Sequence, residues 1–152
     1  MTQKANPVLF SNPFLVAPFR EDPAESHLTI VCAVAAFNLG LAMHAQSYVV
    51  SQDKDQDKRL LLQAKEFYTQ AHDLMDKLEV MALDGTWIQV FLASCNNIAE
   101  ISAQLELPAE VHEWQEALQH CFWTVPPMET SPVYRHFSNV NIVYGMEFDS
   151  VP

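Results

Sequence analysis

Residues 22–50 read DPAESHLTIVCAVAAFNLGLAMHAQSYVV, and this stretch decides the fold class. It opens with a helix start. Asp22 is a short acidic cap, Pro23 stands at the first helical position where no amide hydrogen is missed, and Glu25 follows at the third. Behind it Ile30, Val34, Phe37, Leu41, His44 and Tyr48 recur at steps of three and four, one face of an α-helix. From Leu28 to Gln52 there is no charged residue, a length that also suits a bilayer span. Thr29, Asn38, His44, Gln46 and Ser47 interrupt it with groups that are costly in lipid, and the flanks mix basic with acidic residues. The stretch therefore reads as a buried helix of a globular protein.

The pattern continues on the C-terminal side. Ser51 to Asp57 reads as a polar connector, and a second helix follows with Leu61, Ala64, Tyr68, Ala71, Met75 and Leu78 on one stripe. Its other face carries Lys58, Arg59, Lys65, Glu66, Asp73, Asp76 and Lys77, a solvated surface. Asp84-Gly85-Thr86 reads as a turn. A third helix aligns Ile88, Phe91, Cys95, Ile98, Ser102 and Leu105. Pro108 and Glu110 open a fourth, with Val111, Trp114, Leu118, Cys121 and Val125 aligned and Pro126-Pro127 ending it.

The ends differ in kind. Residues 1–21 have no helical period, yet Phe10, Phe14, Leu15, Val16 and Phe19 are too apolar for a solvated tail. They read as an extended arm lying over the helices, or else as an arm that orders only on docking. Residues 128–152 read as an irregular tail, with Val140 to Tyr144 extended and available to pack on the domain. The expected protein is all-α: a four-helix domain over 22–127 between two extended arms.

Bulk composition narrows the function. A chain of 152 residues that is 49% hydrophobic is one domain with a sizeable core. Only 18% is charged, below the usual quarter, which points to apolar surface covered by a partner. The three glycines leave no phosphate-cradling loop. A net charge of -11 repels nucleic acid and anionic membranes and favours neutral or basic partners. Cys32, Cys95 and Cys121 are odd in number and embedded in apolar stretches, the usage of buried free thiols in a reducing, intracellular compartment, cytoplasm or nucleus. Pro7, Pro13 and Pro18 break the N-terminal region too often for the apolar stretch of a signal peptide.

Ala36-Phe37-Asn38-Leu39-Gly40 resembles the first helix of a tetratricopeptide repeat, and Ala64, Tyr68 and Ala71 match the small, aromatic and small positions of its second helix. Small residues let two antiparallel helices approach, and the aromatic fills the gap above. The next pair is similar in weaker form: Cys95-Asn96-Asn97-Ile98-Ala99 stands at the Asn-Leu-Gly step, with Trp114 and Ala117 near the aromatic and small positions. The spacing from Gly40 to Ala64 is double that of the repeat, and the second pair lacks the glycine. The order of elements is also similar to short tetratricopeptide-like proteins of algae, a likeness that implies no activity.

The resemblance implies two antiparallel helix pairs in a right-handed arrangement, with peptide ligands lying along the first helix of each pair. It implies a protein or peptide partner at the face near Asn38 and Asn97, where two side-chain amides can clamp a peptide backbone. The plainer alternative is that each asparagine bridges backbone within its own helix pair. His44, on the apolar stripe, and Trp87 and Trp123, off the main stripes, join the partner-binding candidates, although a histidine on such a stripe usually serves packing. The first and third helices lack the basic clamp with which some family members hold acidic C-termini. Two pairs make a short array, so the arms or a second copy are expected to cover it.

Catalytic and metal motifs fail one by one. Asp53-x-Asp55-x-Asp57 starts like a calcium loop, but Lys58 and Ala64 occupy the glycine and bidentate-acid places. There is no C-x-x-C, H-x-x-x-H or E-x-x-H pair; Glu116 and His120 are one turn apart, and His120 and Cys121 are adjacent and point apart. Ser51 and Lys54 have the spacing of a catalytic pair but no supporting motif. The expectation is a non-enzymatic interaction module, a scaffold or assembly factor, without cofactor or metal. Self-association through the arms, and a Cys/His enzyme site assembled only in space, are the alternatives.

Overall fold

The computed structural model describes residues 10–16, 25–49, 53–78 and 85–124. Within them the chain forms four helices, α1 (Glu25–Ser47), α2 (Lys54–Asp76), α3 (Gly85–Gln104) and α4 (Pro108–Thr124), and no strand. The protein is all-α. The cap at Asp22, the stop at Pro126-Pro127 and the tail 128–152 lie outside the described residues.

Two helix starts fall earlier than the sequence reading places them. Asp53 is the N-cap of α2, its carboxylate accepting from the amides of Asp55 at 3.0 Å and Gln56 at 3.2 Å. Asp55 and Asp57 lie in the first turn, where negative charge faces the positive end of the helix dipole. The acidic residues therefore begin a helix instead of forming a free connector. Gly85 and Thr86 likewise belong to α3 and not to a turn. The α3–α4 corner is closed by Glu106 at φ 57°, with its amide bonded to the Ala103 carbonyl and the Leu107 amide to the Ser102 carbonyl. That is the paired closure that ends a helix on a left-handed residue.

Helix direction follows from reach. The connector 48–53 spans at most about 25 Å, whereas a helix as long as α1 runs about 34 Å. Because α1 and α2 pack along one another, they are antiparallel. The expected stripes meet at this contact: Ile30, Val34, Phe37, Leu41 and His44 from α1, Ala64, Tyr68, Ala71 and Met75 from α2, all buried. At its closest point Gly40 lies under the Tyr68 ring. A Cβ there would stand 2.9 Å from the ring Cδ1 and 3.1 Å from the Ala64 carbonyl oxygen. Gly40→Ala is therefore expected to destabilise by roughly 1–2 kcal/mol, overpacking outweighing the gain in helix propensity. Urea unfolding checks this, and an unchanged or raised midpoint would contradict it.

The third helix departs from a one-sided stripe. Every residue from Val90 to Ser102 is buried, because α2 and α4 flank α3 while α1 and residues of the arm approach it from a further side. Asn96, Asn97 and Glu100 are buried with it. The expectation of three buried thiols also needs correction. Cys95 is buried and Cys121 partly so, but Cys32 is exposed, on the outward face of α1 with Leu28, Ala35 and Leu39. Among the described residues one helical segment, His27–Ser47, is long and apolar enough by length and composition to cross a membrane, with a mean hydropathy of 1.8.

Candidate functional site

Helices α1 and α3 make only slight direct contact, and residues 10–16 lie across them. Asn38 on α1 donates its side-chain Nδ2 to the Phe14 carbonyl at 2.9 Å and accepts the Phe14 amide on Oδ1 at 3.0 Å. Asn97 on α3 repeats the arrangement on Phe10, donating to its carbonyl and accepting its amide at 3.0 Å each. Each carboxamide thus satisfies both backbone groups of one residue, as the edge of a neighbouring strand would.

Residues 10–16 form neither helix nor strand. Phe10 and Phe14 are four apart, and both present their backbone to the asparagines. Pro13, which has no amide hydrogen, is exposed between them and takes no part in this pairing. The two rings stack with centroids 5.5 Å apart, Phe14 meets Phe37 edge-on at 5.1 Å, and Phe37 leans on Tyr68 at 5.2 Å. Phe10 is 3% exposed and belongs to the core.

Below the arm lies a polar cluster. His44 Nδ1 is 3.3 Å from the Tyr68 hydroxyl and Nε2 is 3.2 Å from the Tyr48 hydroxyl, so one ring nitrogen donates and the other accepts. Gln104 Nε2 donates to the Tyr48 hydroxyl at 2.7 Å and to the Glu100 carboxylate at 3.2 Å. Asn96 donates to Asn97 Oδ1 at 3.1 Å, which helps hold that amide in orientation. Burial pushes His44 down to about 4, so its imidazole is neutral near pH 7. Burial likewise holds the Tyr68 phenol well above its ordinary value, against a lowering hydrogen bond with Asn97.

The structure brings Asn38 and Asn97 onto one non-helical segment. His44 is fully buried in the polar cluster instead of standing open to a partner. Trp87 and Trp123 fall within α3 and α4, but their side chains lie outside the described residues. Of the repeat positions, Gly40, Ala64, Tyr68, Ala71, Ile98 and Ala99 are buried, Trp114 and Ala117 partly so, and Leu39 is 50% exposed. Trp114 meets His72 edge-on at 4.9 Å. Sequence reasoning missed Phe10 and Phe14 as the clamped pair, although their even spacing in a non-helical apolar segment was visible. Gln104 left no such sign.

Elsewhere the chemistry is muted. Burial raises the Cys95 and Cys121 thiols, which keeps them protonated and poorly nucleophilic. Among the described residues no group of three His, Cys, Asp or Glu side chains comes together as a metal site. A cleft of about 560 Å³ at the α3–α4 corner is lined by Ala103, Glu106, Leu107, Pro108, Val111, His112 and Gln115. No family model matches the chain, and neither does any curated protein or solved structure.

Proposed function

We propose that this protein is a non-enzymatic interaction module that holds extended polypeptide segments on the face between α1 and α3. The observation that carries the reading is the double pairing of Asn38 and Asn97 with the backbone of Phe14 and Phe10 in a non-helical segment. Such pairing is blind to side-chain identity and suits peptide recognition by backbone addition. The neighbour order supports it: each helix packs on the next, and α1 and α3, the first helix of each pair, share one face. In the tetratricopeptide repeats that the sequence resembles, ligands lie along the first helix of each pair. Neither lining helix carries Lys or Arg, so the partner is neutral or basic at the contact.

Selection of short random peptides against the full chain tests the reading. Synthetic versions of the enriched peptides should bind and should shift the side-chain amide resonances of Asn38. Asn38→Leu, at a partly buried position, should weaken them roughly ten-fold or more by removing two hydrogen bonds. Peptides indifferent to that substitution would place recognition elsewhere, and the groove would lose its assignment.

A further inference from the structure

The occupant of the groove indicates what else fits it. Between the two clamped residues, Ser11, Asn12 and Pro13 are exposed, and beyond them Leu15 is 90% exposed. Recognition is therefore concentrated on two backbone positions and two aromatic rings, with little demand on the residues between. All four hydrogen bonds run between side-chain amides and main-chain atoms, so any residue except proline at those positions can make them.

The arm is held by four hydrogen bonds to two side chains and by the packing of Phe10 and Phe14 on Phe37. The segment has no helix of its own, and terminal segments of this kind open at lower free energy than packed helices. Simple release would still uncover Phe37 and strip both rings of their aromatic cover. Departure is cheap only in exchange for a segment that supplies the same groups.

Resting on the groove reading above, we propose that residues 10–16 are an internal competitor for that groove. The partner is a non-helical segment with large apolar side chains, aromatic for preference, at two positions four residues apart. Neutral or basic residues surround them, since the chain carries a net charge of -11 and acidic flanks would be repelled. Binding proceeds by exchange with the arm, and the protein is self-masked until such a segment is present.

The test uses a fluorescent synthetic peptide of residues 7–18, PVLFSNPFLVAP, against two full-length proteins. One is the wild type and the other carries Phe10→Ser and Phe14→Ser, which unseat the arm. A tethered arm competes at an effective concentration near millimolar, so the peptide should bind the double variant roughly ten-fold or more tightly than wild type. The same peptide with serine at both phenylalanine positions should bind neither protein. Adding Asn38→Leu to the double variant should weaken the peptide again.

Equal binding to both proteins with Asn38 dependence would overturn the competitor and leave the groove. Binding of selected peptides, but not of this one, would overturn the ligand class alone. If no peptide shows Asn38 dependence on a folded double variant, both readings fall. Should the double variant not fold, hydrogen exchange on the wild type replaces it. Excess peptide should then speed exchange of the Phe10 and Phe14 amides of the protein, and unchanged exchange would sink the proposal.

Discussion

Replacing Asn97 with aspartate is expected to cost about 3–5 kcal/mol of stability at neutral pH, the scale of an uncompensated buried charge. The residue is 0% exposed, and its Nδ2 donates to the Phe10 carbonyl. A carboxylate keeps the acceptor for the Phe10 amide but turns the other contact into oxygen facing oxygen. Burial raises the folded-state value of the new carboxyl above its unfolded value, so the loss grows as pH rises above the carboxylate range and shrinks in acid. The same substitution at Asn38 is expected to cost only about 1 kcal/mol, because that side chain is partly solvated. Urea unfolding of both variants at neutral and acidic pH decides the matter. Equal penalties at the two positions would show that the burial of Asn97 does not govern its cost.

That difference in burial separates the roles of the two asparagines. Asn97 lies beneath the arm and is part of the folded core's hydrogen bonding. It is therefore the wrong place to probe binding alone. Asn38 is the position where recognition and folding can be separated.

Acid is expected to remove about 3 kcal/mol of stability through His44 alone, from a lowering of 6.5 to about 4 at 1.36 kcal/mol per pH unit. The folded state keeps the imidazole neutral, whereas the unfolded chain takes up a proton as pH falls through 6.5. The contribution is thus fully present above pH 6.5 and is lost progressively down to about pH 4, where the folded protein protonates too. The cause is burial between Tyr48 and Tyr68 with no carboxylate in direct contact with the ring among its hydrogen-bond partners. His44→Gln removes the titration, so the variant's stability should change less with pH across this window than the wild type's. Parallel pH–stability curves would mean that His44 is charged in the fold or solvated.

The helices were legible because their signals are local. Apolar period, Pro108 at a helix start and the pairing of Gly40 with Tyr68 all depend on residues close along the chain or on simple size matching. The all-α class and the inward faces of α1 and α2 followed from residues 22–78 before any neighbour was known. The start of α2 was misplaced for a local reason as well: an aspartate run serves equally as a solvated loop or as a cap with a first turn.

Other features had no local signal. A hydrophobic period marks a face but does not say how many neighbours will cover the remaining faces, so the central burial of α3 came only from packing. Cys32 is the exception: two residues from both Ile30 and Val34, it falls on the opposite face of α1 by helical period alone, a signal that the apolar composition of the run obscured. His44 meets Tyr48 one turn away, but Tyr68 and Gln104 join it only through the fold.

The same distinction governs the groove. The sequence by itself determined that two asparagines stand on the first and third helices and that an apolar segment without helical period precedes them. Only the tertiary structure decided that the amides grip Phe10 and Phe14. The reason is physical: a carboxamide paired with a backbone amide and carbonyl reads geometry common to every residue except proline, and so leaves no side-chain code to find.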